Sequence, residues 1–318
     1  MTDGSRKAII AAFFANLGIA IAKLIGFVVT RSAGMLAEAV HSFADTGNQG
    51  LLFLGGSRAK RAATPEHPFG YGRERYFWSF AVALVLFSMG GLFALYEGIH
   101  KFTDPHPVEK VWVAIAILVL GLVLEGNSLR IAVKEANHAR AEGVSWWKFI
   151  RTSKQPELPV VLLEDTGAEI GLFLALVGVI VAHQTGDGRW DALGSMAIGV
   201  LLIAIAIILI IEMKGLLIGE SASEADRAMI RSAITASPRV DALLHMRTEH
   251  IGPDEILVAA KVEYDSKLTF DEVSAAINVT EAAIRDAVPA ARLIYIEPDL
   301  RRPGAEQHTA VGSDHDSP

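Results

Sequence analysis

Apolar residues run on long enough to cross about 30 Å of hydrocarbon as a helix, roughly 20 residues, in six stretches near 8–29, 33–56, 77–100, 111–133, 159–183 and 192–217. The pattern predicts six spans joined by short connections. From about Glu220 the long apolar runs stop and shorter periods take over. Ser223 is a candidate N-cap for a helix to about Ser237, which Pro238 ends. Strands are predicted near 241–250 and 255–264 around the Gly252-Pro253 turn, and the second alternates through Val258, Ala260, Val262 and Tyr264. A helix near 270–287 and a strand near 292–297 complete a small α/β sandwich. From Arg301 the chain is polar, without periodic apolar positions, and is expected to be a disordered tail. The predicted division is therefore 1–219, 220–300 and 301–318.

Composition points to the same class. Of the 318 residues 51% are hydrophobic, and the mean hydropathy is +0.36, too apolar for an ordinary soluble chain. The first span follows Arg6 and Lys7 but is longer than a signal-peptide core and is read as a retained helix. Lys and Arg fall unevenly on the two sides of the predicted spans. One side has Arg6, Lys7, Arg58, Lys60, Arg61, Arg73, Arg75, Arg130, Lys134, Arg140, Lys148, Arg151 and Lys154, whereas the other has Arg31, Lys101, Lys110 and Arg189. Because cytoplasmic loops carry the excess, both termini are expected in the cytoplasm, with the protein in the plasma or inner membrane. Trp146 and Trp147 suit the headgroup region, so the stretch from Glu135 to Glu157 reads as an interfacial loop. A net charge of −7 gives no basic face for nucleic acid. The absence of cysteine leaves only nitrogen and oxygen ligands for any metal.

Ionisable side chains inside a span are costly and usually face the bundle interior or an aqueous cavity. The second span carries Glu38, His41, Asp45 and Asn48, with His41 and Asp45 one helical turn apart. The fifth carries Glu164, Asp165 and Glu169, with Asp165 and Glu169 again one turn apart. Imidazole with carboxylates suits tetrahedral Zn2+, and a more oxygen-rich set admits Mn2+, Fe2+ or Co2+. Such groups shed protons before binding metal, which couples the two ions. The plainer alternative is interhelical hydrogen bonding. Asn16, Lys23, Glu125 and Asn127 read mainly as structural, bonding neighbouring helices or lining the pathway, and Lys23 would snorkel only if it lay near a helix end.

Four motifs carry a family resemblance. Ser32-Ala-Gly-Met-Leu-Ala-Glu-Ala-Val-His-Ser-Phe-Ala-Asp45 resembles the second helix of the cation diffusion facilitators, whose histidine and aspartate four residues apart bind metal. His67-Pro-Phe-Gly-Tyr-Gly-Arg-Glu-Arg-Tyr-Phe-Trp78 is similar to the family's cytoplasmic-loop signature. Asp191-Ala-Leu-Gly-Ser195 resembles the start of its sixth helix, and Leu216-Leu-Ile-Gly-Glu220 the junction that follows. The resemblance spans nearly the whole chain to Pro298. It implies an α-helical membrane protein of six transmembrane helices with a C-terminal cytoplasmic α/β ferredoxin-like domain. It further implies a homodimer that exports a divalent metal, zinc first, in exchange for protons, with no catalytic cofactor and no enzymatic activity.

The chain departs from that pattern at two places. If Asp165 is matched to the family's fifth-helix aspartate, Val161 stands where a histidine would, and Glu164 or Glu169 is left as the replacement. The run Val160-Val-Leu-Leu-Glu-Asp165 resembles the zinc transporter nine-like subgroup. In the C-terminal part, positions where relatives place metal-binding histidines hold Leu244, Lys261, Ala276 and Tyr295, and Glu297 remains. The candidate metal residues are thus His41, Asp45, Asp165, Glu164 and Glu169. A transport-inactive relative acting as scaffold or sensor is the alternative. A membrane metal enzyme is disfavoured, since no HExxH or nucleophile motif accompanies these residues.

Overall fold

The computed structural model describes the backbone of residues 3–301, and side chains from Asn16 onward. The tail expected to be disordered lies, beyond Arg301, outside the described residues. Packing divides the chain into two compact units, one of residues 1–62 and 74–217, the other of residues 63–73 with 218 onward.

The first unit is built from long helices: α1 (Asp3–Thr30), α2 (Ala33–Arg58), α3 (Glu74–Val85) continuing through a π-helical segment (Leu86–Leu92) into α4 (Phe93–Thr103), then α5 (Val111–Ala139), α7 (Glu157–Thr185) and α8 (Arg189–Ile218). Four of these rods are long and apolar enough to span on their own: Glu74–Thr103, Val111–Ala139, Glu157–Thr185 and Arg189–Ile218. α1 supplies a shorter apolar run, Asn16–Thr30. The apolar run of α2 is interrupted by the polar residues singled out above. The outward faces stay greasy, with Trp112, Leu120, Val123, Phe173 and Ile211 exposed, as a lipid-facing surface requires.

Small residues set the helix spacing. Gly199 of α8 lies so close to α4 that a methyl group there would stand 2.6 Å from the Leu95 amide nitrogen. Such contacts let helix backbones approach where water supplies no driving force. The centre is filled by Met35, Leu86, Leu118, Leu172, Ile198, Leu202 and Leu209. Between α5 and α7 the expected interfacial loop is partly helical. A short α6 (Trp146–Thr152) is capped by Ser145, whose hydroxyl accepts from the Lys148 amide, and buries Phe149 and Ile150. Its Trp146 ring receives the Arg140 guanidinium at 4.3 Å.

The second unit has the order α9 (Glu224–Thr235), β1 (Val240–Gly252), β2 (Glu255–Tyr264), α10 (Phe270–Ala287), β3 (Ala291–Pro298). β2 is central, antiparallel to β1 and parallel to β3. Its alternate residues Ile256, Val258, Ala260, Val262 and Tyr264 are buried against Ile230 and Ile234 of α9 and Ala276 and Ile284 of α10. The strand alternation of the sequence is thus the core face of a ferredoxin-like α/β layer pair. The segment between α2 and α3 packs with this unit. A methyl group on Gly72 would press on the Ile251 carbonyl and Gly252, and Arg73 pairs with Glu249.

Candidate metal centre

α2 begins at Ser32, whose hydroxyl accepts from the Met35 amide, and this start fixes which residues face inward. Glu38, His41 and Asn48 are buried, and Asp45 is largely so. His41 Nδ1 lies 3.5 Å from Asp45 Oδ1, the one-turn pairing expected from their spacing. Neither ring nitrogen of His41 makes a hydrogen bond, and neither does Asp45 Oδ1. An unpartnered buried imidazole is expensive and calls for a functional explanation.

Across from it, α7 places Glu164 and Asp165 on the same cleft as Asp45. Asn48 Nδ2 donates to Glu164 Oε1 at 2.6 Å. Asp165 Oδ2 accepts from Ser128 Oγ of α5 at 3.0 Å. The cavity offers about 30 Å3 to water-sized guests, room for a few waters or a metal ion.

Not every candidate gathers there. His41 stands behind Asp45 rather than in the cleft wall, and Val161 does line it. Glu169 is turned away and lies against Gly126, with one carboxylate oxygen lacking a partner. Among the described residues, no three His, Asp or Glu side chains converge as a ready-made metal cage.

Two buried ion-pair networks escaped the sequence reading. In the first, the Lys23 ammonium donates to Glu38 Oε2 at 3.2 Å, Ser42 Oγ at 2.7 Å and Glu125 Oε1 at 3.5 Å. Lys23 is sealed from the surface, so it does not snorkel; Glu38 beside it neutralises its charge within the bundle. Room for that carboxylate exists because position 171 is glycine: a methyl group there would stand 2.5 Å from Glu38 Oε1. In the second, at the helix ends next to the α1–α2 turn, Asp191 of α8 accepts from Lys101 Nζ at 2.8 Å, Ser32 Oγ at 2.6 Å and the Ala33 amide at 2.7 Å. An anion there also meets the positive end of the α2 dipole. The usable signal was opposite charges at similar depth in different spans.

In the second unit, Lys261 Nζ donates to Glu297 Oε1 at 2.8 Å and to Asp299 Oδ2 at 3.3 Å, and those bonds hold its pKa above the ordinary value. A charged ammonium cannot ligate a cation.

A bundle of helices long and apolar enough to cross a membrane, with carboxylates of α2, α5 and α7 on one cleft and a chain that continues into a small α/β unit, defines the class of a multi-pass membrane protein. Residues 9–218 match the model of the cation efflux transmembrane domain, and the chain belongs to that family, the cation diffusion facilitators, which are transporters rather than enzymes. It is 33% identical over 266 residues to the human "Proton-coupled zinc antiporter SLC30A9, mitochondrial", covering 83% of this chain and 47% of that protein. It is 29% identical over 265 residues to "Metal tolerance protein C4" of Arabidopsis thaliana, covering 83% of this chain and 58% of that one. To the "Cation-efflux pump FieF" of Klebsiella pneumoniae it is 23% identical over 305 residues, covering 95% of both. The chain spans about half the length of the SLC30A9 relatives it matches. Among solved structures, a nickel form of a MamM CTD variant aligns with 25% of this chain and all of that one, at 19% identity and a TM-score of 0.24.

Proposed function

We propose that this chain exports a divalent transition metal, zinc foremost, from the cytoplasm in exchange for protons. The observation that carries the reading is the polar cleft shared by Asp45, Glu164 and Asp165, with an unpartnered His41 behind it. Two carboxylates from α7 face one from α2, and rotation of the His41 ring toward Asp45 would add a nitrogen ligand. Glu164 is the better substitute for the absent fifth-helix histidine, since it lines the cleft whereas Glu169 does not. A proton and a metal ion compete for the same lone pairs, so loading metal releases protons and returning protons help release metal. Mn2+, Fe2+ and Co2+ are the alternative cargoes for so oxygen-rich a set.

In this proposal residues 1–219 form the transport domain and residues 220–300 a dimerisation domain of a homodimer. The membrane is a plasma or inner membrane, and both termini are cytoplasmic, as the Lys/Arg asymmetry supports. Val161 in the cleft wall favours one competing reading, a transport-inactive scaffold or sensor. Zinc uptake into proteoliposomes under an imposed pH gradient decides between them. Uptake that follows the gradient is expected, and no uptake of zinc, manganese, iron or cobalt would leave the scaffold.

A further inference from the structure

We infer that Glu125 of α5 is a further ligand for the cargo ion, and that the Lys23 ammonium holds its carboxylate in reserve while the cleft is empty. This inference rests on the transport-site reading above and extends it to a third helix.

Glu125 lines the same cleft as Asp45, Glu164 and Asp165. One turn along α5, Ser128 lines it too and donates to Asp165, so α5 forms a wall of this cleft. Behind Glu125 stands Lys23, whose ammonium is 3.5 Å from Glu125 Oε1 but closer to Glu38 Oε2 and Ser42 Oγ, at 3.2 and 2.7 Å. The geometry is asymmetric. Glu38 is fully buried and absent from the cleft wall, whereas Glu125 is partly exposed to it. Glu38 and Ser42 can retain the ammonium by themselves, so Glu125 can be surrendered to an arriving divalent cation without leaving Lys23 unpaired.

The exchange also answers a ligand shortage. Val161 contributes nothing to a metal, and Glu169 faces Gly126. Asp45, Glu164 and Asp165 give three carboxylates from two helices, and Glu125 gives a fourth from another direction. The fixed ammonium repels a divalent ion at close range while partly neutralising the empty cleft. Lys23 is therefore a positioning residue that tempers cargo affinity and touches only protein groups.

The test is zinc titration of the full chain in lipid nanodiscs by calorimetry. Glu125→Gln is expected to raise the zinc Kd by about tenfold or more, and Lys23→Gln to lower it by about threefold or more. The double variant Lys23→Gln/Glu125→Gln is expected to stay about threefold or more weaker than wild type, tighter than Glu125→Gln only by the lost repulsion of the ammonium. If Glu125 served only as an ion-pair partner, both single variants would weaken binding alike and the double variant would recover; that result overturns the inference. Should Lys23→Gln fail to fold with Glu38 uncompensated, Glu125→His decides. A first-hand ligand predicts a zinc-over-manganese affinity ratio raised by about fivefold or more, because imidazole prefers zinc, and an unchanged ratio overturns it. The Asp45→Asn variant separates the two levels of argument. Wild-type zinc affinity in Asp45→Asn removes the transport-site reading itself, whereas loss there with wild-type affinity in Glu125→Gln removes only this inference.

Discussion

Lys101 of α4 donates to Asp191 of α8 across 2.8 Å, and both side chains are sealed from solvent. The same ammonium also donates to the Arg31 carbonyl at 2.7 Å, so one pair ties α4 and α8 to the α1–α2 turn. Removing one member leaves the other charge buried without compensation, at a cost of about 3–5 kcal/mol. Lys101→Met and Asp191→Asn are each expected to lower the thermal denaturation midpoint in nanodiscs markedly, whereas Lys101→Met/Asp191→Asn should regain much of the loss. A double variant no more stable than either single would show that the pair is not the source of the effect.

Asp45→Asn and Asp165→Asn preserve size and polarity but remove a charge that the proposed cargo site requires. Each is expected to reduce zinc uptake by at least about tenfold and to abolish zinc-induced proton release in vesicles carrying a pH-sensitive dye. Asp165→Asn with wild-type uptake and proton release would move the metal site elsewhere.

His41 places an imidazole beside the cleft, 3.5 Å from Asp45. His41→Asp leaves an all-oxygen set, which suits harder ions. The zinc-to-manganese transport ratio is expected to fall by about fivefold or more. An unchanged ratio would count against any direct contact between His41 and the cargo.

The second unit should lose stability at both pH extremes. At the start of α10, the Glu272 carboxyl is held below its ordinary value by the Thr269 amide first, then by the Thr269 hydroxyl and Arg239. Its contribution is present above pH 4.5, the unstructured value, and is lost as pH falls through the lower folded value. Tyr264 behaves oppositely: burial raises its phenol above 10.0, so its contribution is intact below that pH and lost as pH rises through the folded value. Hydrogen exchange across α10 and β2 of the full chain should show Glu272→Gln flattening the acid limb and Tyr264→Phe the alkaline one. Unaltered limbs would refute the assignment.

Topology is open to a direct check because the chain has no cysteine. A single cysteine introduced at Ser313 is expected to resist an impermeant maleimide added to intact cells and to react after lysis. Labelling from outside would reverse the proposed orientation.

The spans were legible because hydropathy over 20 or so residues is a strong signal, and observed helices differ from the expected ones by a few residues at their ends. The residues that meet in the cleft were legible for a different reason: charges are rare at membrane depth, so Asp45, Glu164 and Asp165 stood out individually. Their company did not. Glu169, one turn beyond Asp165, reads as the alternative to Glu164, but its carboxylate packs on Gly126 of α5, and spacing along α7 says nothing about that neighbour. Lys101 was counted as a loop charge because it lies near a helix end; its partner is 90 residues away. Lys23 and Glu38 likewise sit on separate antiparallel helices, and a single sequence carries no record of which buried charges meet.

The π-helical segment from Leu86 to Leu92 sits in the middle of one continuous rod, where Ser88 Oγ donates to the Leu84 carbonyl at 2.8 Å. A wide turn of this kind holds one more residue than an α-helical turn, and it acts as a phase adjuster between two halves of the rod. Tyr76 and Val82 are buried before it, and Ala94, Gly98 and Lys101 after it. Deleting one residue within it would let the wide turn close to an ordinary α-helical turn and keep the phase, whereas a deletion in the α-helical turns between it and Lys101 would turn everything beyond by about 100°. Lys101 would then swing away from Asp191 while every side chain remained chemically unchanged. The π-helical segment is consequently the part of this rod that best absorbs a lost residue, and a genetic screen of single-codon deletions would find its survivors there and its losses in the α-helical turns on either side.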